Sequence, residues 1–257
     1  MGAMVTRIIQ LVPLLFTAFA AHAEQIRVRH PQGSAHGFVE VTTLDGTRIA
    51  IGDLIQMIRG HAVTSRLTMN YLDGSLDDET TVFSQEGTLR LISDHHVQRG
   101  PTYPKPMDVT INASSGQISA RDQNGKVTSV HMVMPPDVSN GLILKILMNL
   151  LPTTPETKVA IVIPSTKPRI THLSIKNAGE MSFTIGGTLR KATDYVLHVE
   201  LGGVAGVIAP VIGKEPPDYH VWILTGNEPA FVREEGPLYE GGPVWRIQQI
   251  SATFPNK

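Results

Sequence analysis

The chain contains no cysteine. That excludes disulfides, thiol nucleophiles, thiolate zinc sites, iron–sulfur clusters and any lipidated N-terminal cysteine. Stability must therefore come from packing alone. Aromatic residues are scarce, at 5% of the chain. Neither sign of charge dominates, with 22 basic residues against 23 acidic ones. Such a balance gives no reason to expect nucleic acid or an anionic membrane surface as a partner. Phosphate-binding glycine patterns are also missing. Gly202-Gly203-Val204-Ala205-Gly206 lacks the dinucleotide-binding spacing, and Gly213-Lys214 lacks the upstream glycine and following hydroxyl residue of a P-loop. No cofactor is expected.

What is present begins at the N-terminus. Arg7 precedes an apolar run, Ile8 to Ala20, and Ala21-His22-Ala23 offers a small-x-small cleavage site before Glu24. This reads as a Sec-type secretory signal peptide over 1–23, cleaved after Ala23. The alternative is a membrane anchor, but the run is shorter than the ~20 apolar residues a spanning helix needs. Pro13 interrupts it as well. The chain is expected to be periplasmic or secreted, with no transmembrane span after cleavage and one β-rich domain over 24–257.

Period-two alternation dominates the remainder. Strands are expected at Phe38 to Thr43, Thr47 to Ile58, Thr64 to Leu72, Ser75 to Ser84 and Thr88 to Val97. Asp45-Gly46 and Asp73-Gly74 mark hairpins, the first read as a two-residue turn. Pro101, Pro104 and Pro106 make the following segment a loop. Strands resume at Asp108 to Ala113, Gln117 to Asp122 and Val127 to Met134. Further strands are expected at Lys158 to Ile163, Arg169 to Lys176, Met181 to Ile185, Asp194 to Leu201, Tyr219 to Thr225, Ala230 to Arg233 and Val244 to Thr253.

One segment breaks the rhythm. After Pro135-Pro136, Asp137 or Ser139 can cap a helix that carries Leu142 to Leu151 and ends near Asn149 and Pro152. It is apolar nearly all round apart from Lys145, so it packs on a sheet or lines an apolar cavity. Gly202 to Gly213 reads either as a buried hairpin or as an apolar flap. Pro152 to Pro155 is the best candidate for a seam, yet a helix of this kind needs the sheet beside it.

Catalytic signals are thin. No Gly-x-Ser-x-Gly and no His-Glu-x-x-His occurs. Asp73, Asp77, Asp78 and Glu79 form an acidic cluster, with Asp94-His95-His96 one hairpin later. Were a divalent ion bound, Asp77, Glu79, Asp94 and His96 are the candidates. The spacing matches no calcium loop, and adjacent histidines on a strand face opposite ways, so solvated turn charges are the default and no metal is assigned. Glu234 and Glu235 are adjacent and diverge on a strand. The C-terminal third concentrates aromatics, Tyr219, Trp222, Phe231, Tyr239, Trp245 and Phe254. They fill a β core or wall a ligand cavity.

The expected architecture is mainly β: a long antiparallel meander forming a curved sheet or open half-barrel, with one apolar helix packed on it. Leu44-Asp45-Gly46, Gln98-Arg99-Gly100-Pro101 and Gly241-Gly242-Pro243-Val244-Trp245-Arg246-Ile247 resemble segments of uncharacterised exported β-rich proteins of Gram-negative bacteria. The layout is also similar to the half-barrel of periplasmic lipoprotein carriers of the LolA/LolB type. That resemblance implies a concave apolar face for acyl chains. The leading expectation is a non-catalytic periplasmic protein binding a hydrophobic or amphiphilic ligand, lipid or lipoprotein in type. Leu144, Leu147, Met148, Leu151, Trp222 and Trp245 would contact it. A closed core without a cavity would count against this reading. The second expectation is an envelope structural or protein-interaction module, using a sheet edge or the Pro-rich loop, with a filled core and an exposed apolar patch. The third is a metal-assisted hydrolase with a site around Asp73 to Glu79 and His95 or His96.

Overall fold

The computed structural model describes residues 25–164, 168–200 and 216–251. Residues 1–23, the expected signal peptide, the glycine-rich stretch 202–213 and Phe254 lie outside these ranges. Fourteen strands form one antiparallel sheet. In chain order they are β1 (Ala35–Thr42), β2 (Arg48–Arg59), β3 (Ala62–Tyr71), β4 (Leu76–Ser84), β5 (Arg90–Arg99), β6 (Met107–Asn112), β7 (Gln117–Arg121) and β8 (Val127–His131). Helix α1 (Ile143–Asn149) follows. Then come β9 (Glu156–Ile163), β10 (Arg169–Ile185), β11 (Thr188–Glu200), β12 (Tyr219–Leu224), β13 (Ala230–Pro237) and β14 (Val244–Ile250).

Two meanders share one central seam. The sheet order runs from β8 down to β1, crosses to β14, and then descends to β9. β1 pairs with β14 from Phe38↔Ile250 to Thr42↔Arg246, so the two halves are joined by a ladder. β8 and β9 are the two ends, and among the described residues no ladder closes them.

The turns explain why neighbours pair in sequence order. In three hairpins the chain reverses through the same pair of bonds: Thr43 N to Thr47 O with Gly46 N to Thr43 O, Tyr71 N to Ser75 O with Gly74 N to Tyr71 O, and Asp122 N to Lys126 O with Gly125 N to Asp122 O. Each loop has three residues, not the two expected after Leu44. Each ends in a left-handed glycine, as such loops require.

Alternation then sends one face inward. Val63, Ser65, Met69 and Tyr71 of β3 are buried, as are Val39 and Val41 of β1. Two apolar clusters result. The larger joins Val63, Phe83, Leu91, Ile111 and Ile118 to Leu142, Ile146 and Leu147 of the helical segment and to Val159, Ile175 and Val221. The smaller gathers Val41, Met69, Tyr71, Tyr103 and Ile247, with Trp245 and Tyr239 against it.

Several expectations change. β10 is one strand with a bulge between Asn177 and Glu180, not two. β11 begins six residues earlier than Asp194, after Gly186-Gly187. The helix is short, and its N-cap is Leu142 with no side-chain cap. Asp137 and Ser139 serve the sheet instead. Asp137 Oδ2 accepts the Ala160 N–H at 2.9 Å, and Ser139 N donates to Ala160 O at 2.9 Å. Lys145, the expected polar exception, is itself buried. The Pro152–Pro155 seam is no break between sheets, because β9 joins the same sheet directly after it.

Candidate functional site

The densest chemistry lies between the two apolar clusters. Along β4 the inward positions read Asp77, Glu79, Thr81, Phe83, and along β5 they read Gln98, His96, Asp94, Leu91. The register pairs Asp77 with Gln98, Glu79 with His96 and Thr81 with Asp94. Carboxylates, an imidazole and amides therefore face each other across one hairpin, inside the curve of the sheet.

Asp77 is the hub. It accepts from His96 Nε2 at 2.8 Å, Gln98 Nε2 at 2.8 Å and Tyr103 Oη at 2.9 Å. Tyr71 Oη lies 2.8 Å from Tyr103 Oη. Since Tyr103 has a single hydroxyl proton, the arrangement satisfying all three groups has Tyr71 donating to Tyr103 and Tyr103 to Asp77. Gln98 Nε2 also reaches the Leu238 carbonyl at 2.9 Å, tying β5 to the end of β13. Glu79 sits 3.9 Å from His96 Nδ1. Thr81 Oγ1 donates to Asp94 at 3.1 Å beneath Gly141.

Burial and like charge set the protonation of this belt. Burial, reinforced by the Glu79 charge, pushes Asp94 up to about 7. Burial pushes Glu234, on the facing strand β13, up to about 7. Glu79 is raised chiefly by burial, opposed by His96. Burial works against the charge on His96, but its bond to Asp77 and the charges of Glu79, Asp77 and Asp94 outweigh it and raise His96 to about 9. Glu79 and His96 keep 27% and 25% of their side-chain surface accessible, so water reaches this interior in part. The belt holds an imidazolium between carboxylates and exchanges protons near neutrality. Among the described residues no group of three such side chains has the geometry to hold a metal ion.

The four metal candidates, Asp77, Glu79, Asp94 and His96, are thus brought together, and they are not solvated turn charges. Asp73 and Asp78 are the ones facing outward: Asp73 caps its own turn at Ser75 N, and Asp78 pairs with Arg66 at 2.8 Å. His95 faces away from His96 and meets Asp108 at 3.0 Å. Glu235 diverges from Glu234 and pairs with Arg246 at 2.8 Å. Tyr71, Tyr103 and Gln98 were not singled out by sequence.

The six expected ligand contacts are not brought together. Leu147 and Met148 are core, and Leu144 packs on it. Leu151 lies beyond the helix and is 44% exposed. Trp245 belongs to the second cluster, between Tyr71 and Tyr239. Trp222 lies on the face of β12 opposite the core residues Val221 and Ile223, stacked on His220 with ring centroids 5.7 Å apart. Two small cavities flank the core. One of about 140 Å³ is lined by Val109, Ile118, Ala120, Val130, Pro164 and Pro168. The other, of about 50 Å³, includes Leu147, Met148, Tyr195 and Ile223. Neither touches the polar belt.

The outer face of β1 and β2 carries an apolar patch. Phe38 lies opposite Asp53, which makes Ile51 and Ile55 its diagonal neighbours, and Met57 continues the row. All four are exposed.

No protein-family model and no curated protein matches this chain. Among solved structures, a β-barrel-like protein of domain of unknown function DUF1849 from Brucella abortus is similar, with a TM-score of 0.46 and 8% identity. The match covers 88% of this chain and 97% of that one.

Proposed function

We propose that the protein is an exported, non-catalytic envelope module that binds another protein through the surface of its sheet. One observation carries this reading: among the described residues the concave side packs into two apolar clusters and a polar belt, while apolar side chains are left on the outer face. The larger cavity of about 140 Å³ falls below the ~300–1,000 Å³ of pockets that enclose a drug-sized ligand. The helix expected to floor a lipid cavity instead inserts Leu142, Ile146 and Leu147 into the core. Phe38, Ile51, Ile55 and Met57 are exposed apolar side chains grouped around the Asp53–His36 ion pair, a mixed surface of the kind that marks an interaction site. The polar belt acts in this reading as an internal brace linking β3, β4, β5 and the Tyr103 loop.

Localisation in the periplasm or outside the cell belongs to the same proposal and rests on the signal-like segment 1–23. Native mass spectrometry of the chain from Glu24 onward, purified gently from a bacterial periplasm, separates the two binding readings. The expected result is a bare polypeptide mass with no uptake of added phospholipid. A retained lipid-sized mass, lost on denaturation, would return the carrier reading and remove this one.

A further inference from the structure

The two ends of the sheet are finished differently. On β9 the outward backbone groups of Ala160 and Val162 are occupied. Ala160 N donates to Asp137 Oδ2 and Ala160 O accepts from Ser139 N. Val162 N donates to Asn140 Oδ1 at 2.8 Å and Val162 O accepts from Asn140 Nδ2 at 2.9 Å. The segment Asp137–Asn140 is a plug that imitates a neighbouring strand.

Among the described residues β8 has no such plug. Asp122 N to Lys126 O and Met132 N to Gly116 O fix which rungs of the β7–β8 hairpin are bonded. Alternation then turns the N–H and C=O of Val127, Ser129 and His131 outward. Among the described residues nothing pairs with them. The strand, Val-Thr-Ser-Val-His, also lacks the lysine, proline or bulge that usually protects an edge. Its inward side chains, Thr128 and Val130, line the groove of about 140 Å³, with Ile118 and Ala120 beside them and Pro164 and Pro168 as the far wall.

We infer that β8 is a docking edge for an extended, uncharged peptide segment of a partner protein. The segment adds as a fifteenth strand and places one aliphatic or aromatic side chain in the groove. An apolar cavity of ~150 Å³ accepts a benzene-sized group, which sets the size of that side chain. Main-chain bonds supply the attachment and the groove supplies the selection, as in other strand-addition complexes. A second copy of this chain is a poorer occupant. An edge of five residues laid against its twin buries far less than the ~1,200 Å² of a stable complex, whereas a single peptide needs only the edge and the groove. This inference rests on the reading of the protein as an interaction module and names one site and one partner chemistry for it.

The test uses the full mature chain and the capped, uncharged peptide STVTLTVTS, followed by amide hydrogen exchange. The peptide is expected to slow exchange at Val127, Ser129 and His131 at least about fivefold. Replacing its central leucine by glutamate is expected to abolish the effect. Ser129→Pro removes an outward N–H, a change that edge strands tolerate, so the variant keeps its melting temperature and loses the peptide. No protection at millimolar peptide, or protection unaffected by Ser129→Pro, overturns the inference. So does concentration-dependent protection without peptide, which assigns the edge to a second copy, or concentration-independent protection, which assigns it to the chain's own remaining residues. A lipid adduct in native mass spectrometry removes the module reading itself, so the two failures are distinguishable.

Discussion

Asp94→Asn is the sharpest probe of the polar belt. The substitution keeps the shape of the side chain and the Thr81 contact while removing the charge. Asp94 is 3% exposed and its carboxyl is pushed up to about 7 from the ordinary carboxylate value of 3.8. A carboxyl raised in the folded state binds more protons there than in the unfolded chain, so stability falls as pH rises from the unfolded value to the folded one. At ~1.36 kcal/mol per pKa unit the full penalty is ~4 kcal/mol above about pH 8, of which ~1.5 kcal/mol is already present at about pH 5. Asp94→Asn should therefore gain ~2.5 kcal/mol more at about pH 8 than at about pH 5 relative to the parent. Urea unfolding followed by the fluorescence of Trp222 and Trp245 reads this directly. His96, raised to about 9, contributes stability that is present below its unfolded value and lost as pH rises through about 9. Asp94 is one of the charges that raise it, so in the variant this slope begins at lower pH and offsets part of the gain at about pH 8. Parallel stability–pH curves for parent and variant would refute the assignment of a protonating Asp94.

Other changes test the same frame. Glu234→Gln should stabilise the protein by ~3 kcal/mol above about pH 7 and by ~1 kcal/mol near pH 5, again by urea titration. Tyr103→Phe takes the hydroxyl donor from buried Asp77 and should lower stability by ~1–3 kcal/mol, seen as a lower unfolding midpoint. Gly141→Ala combines a left-handed φ of +67° with a Cβ that would meet the Thr81 hydroxyl, and a loss of at least ~2 kcal/mol is expected in calorimetry. Intact-mass analysis of the exported chain should begin at Glu24, and a species retaining Met1 in a periplasmic fraction would refute cleavage.

Most strands were legible because apolar residues alternate along them, and the hairpins because Asp-Gly announces a left-handed glycine. The polar belt was not. Asp77, Asp78 and Glu79 are consecutive acids, so alternation sends Asp78 to Arg66 and its neighbours inward without any change in polarity to reveal it. Tyr103 lies in a loop between Pro101 and Pro104, where no periodicity exists to mark it as one of the most deeply buried side chains. Asp137 and Ser139 stand before an apolar run, as a helix cap does, but the same acceptor chemistry serves a strand edge equally well. The long ends of β10 and β11 carry exposed residues on successive positions, which hid their pairing across Gly186-Gly187.

The plug formed by Asp137, Ser139 and Asn140 also bears on filament growth. Strand-by-strand polymerisation needs a molecule with two complementary open ends, so that each addition regenerates a site for the next. Among the described residues Ala160 and Val162 of β9 are occupied and β8 is unpaired, so addition at β8 regenerates no growing end. The asymmetry turns a surface that would nucleate fibres into one that can be used once per molecule.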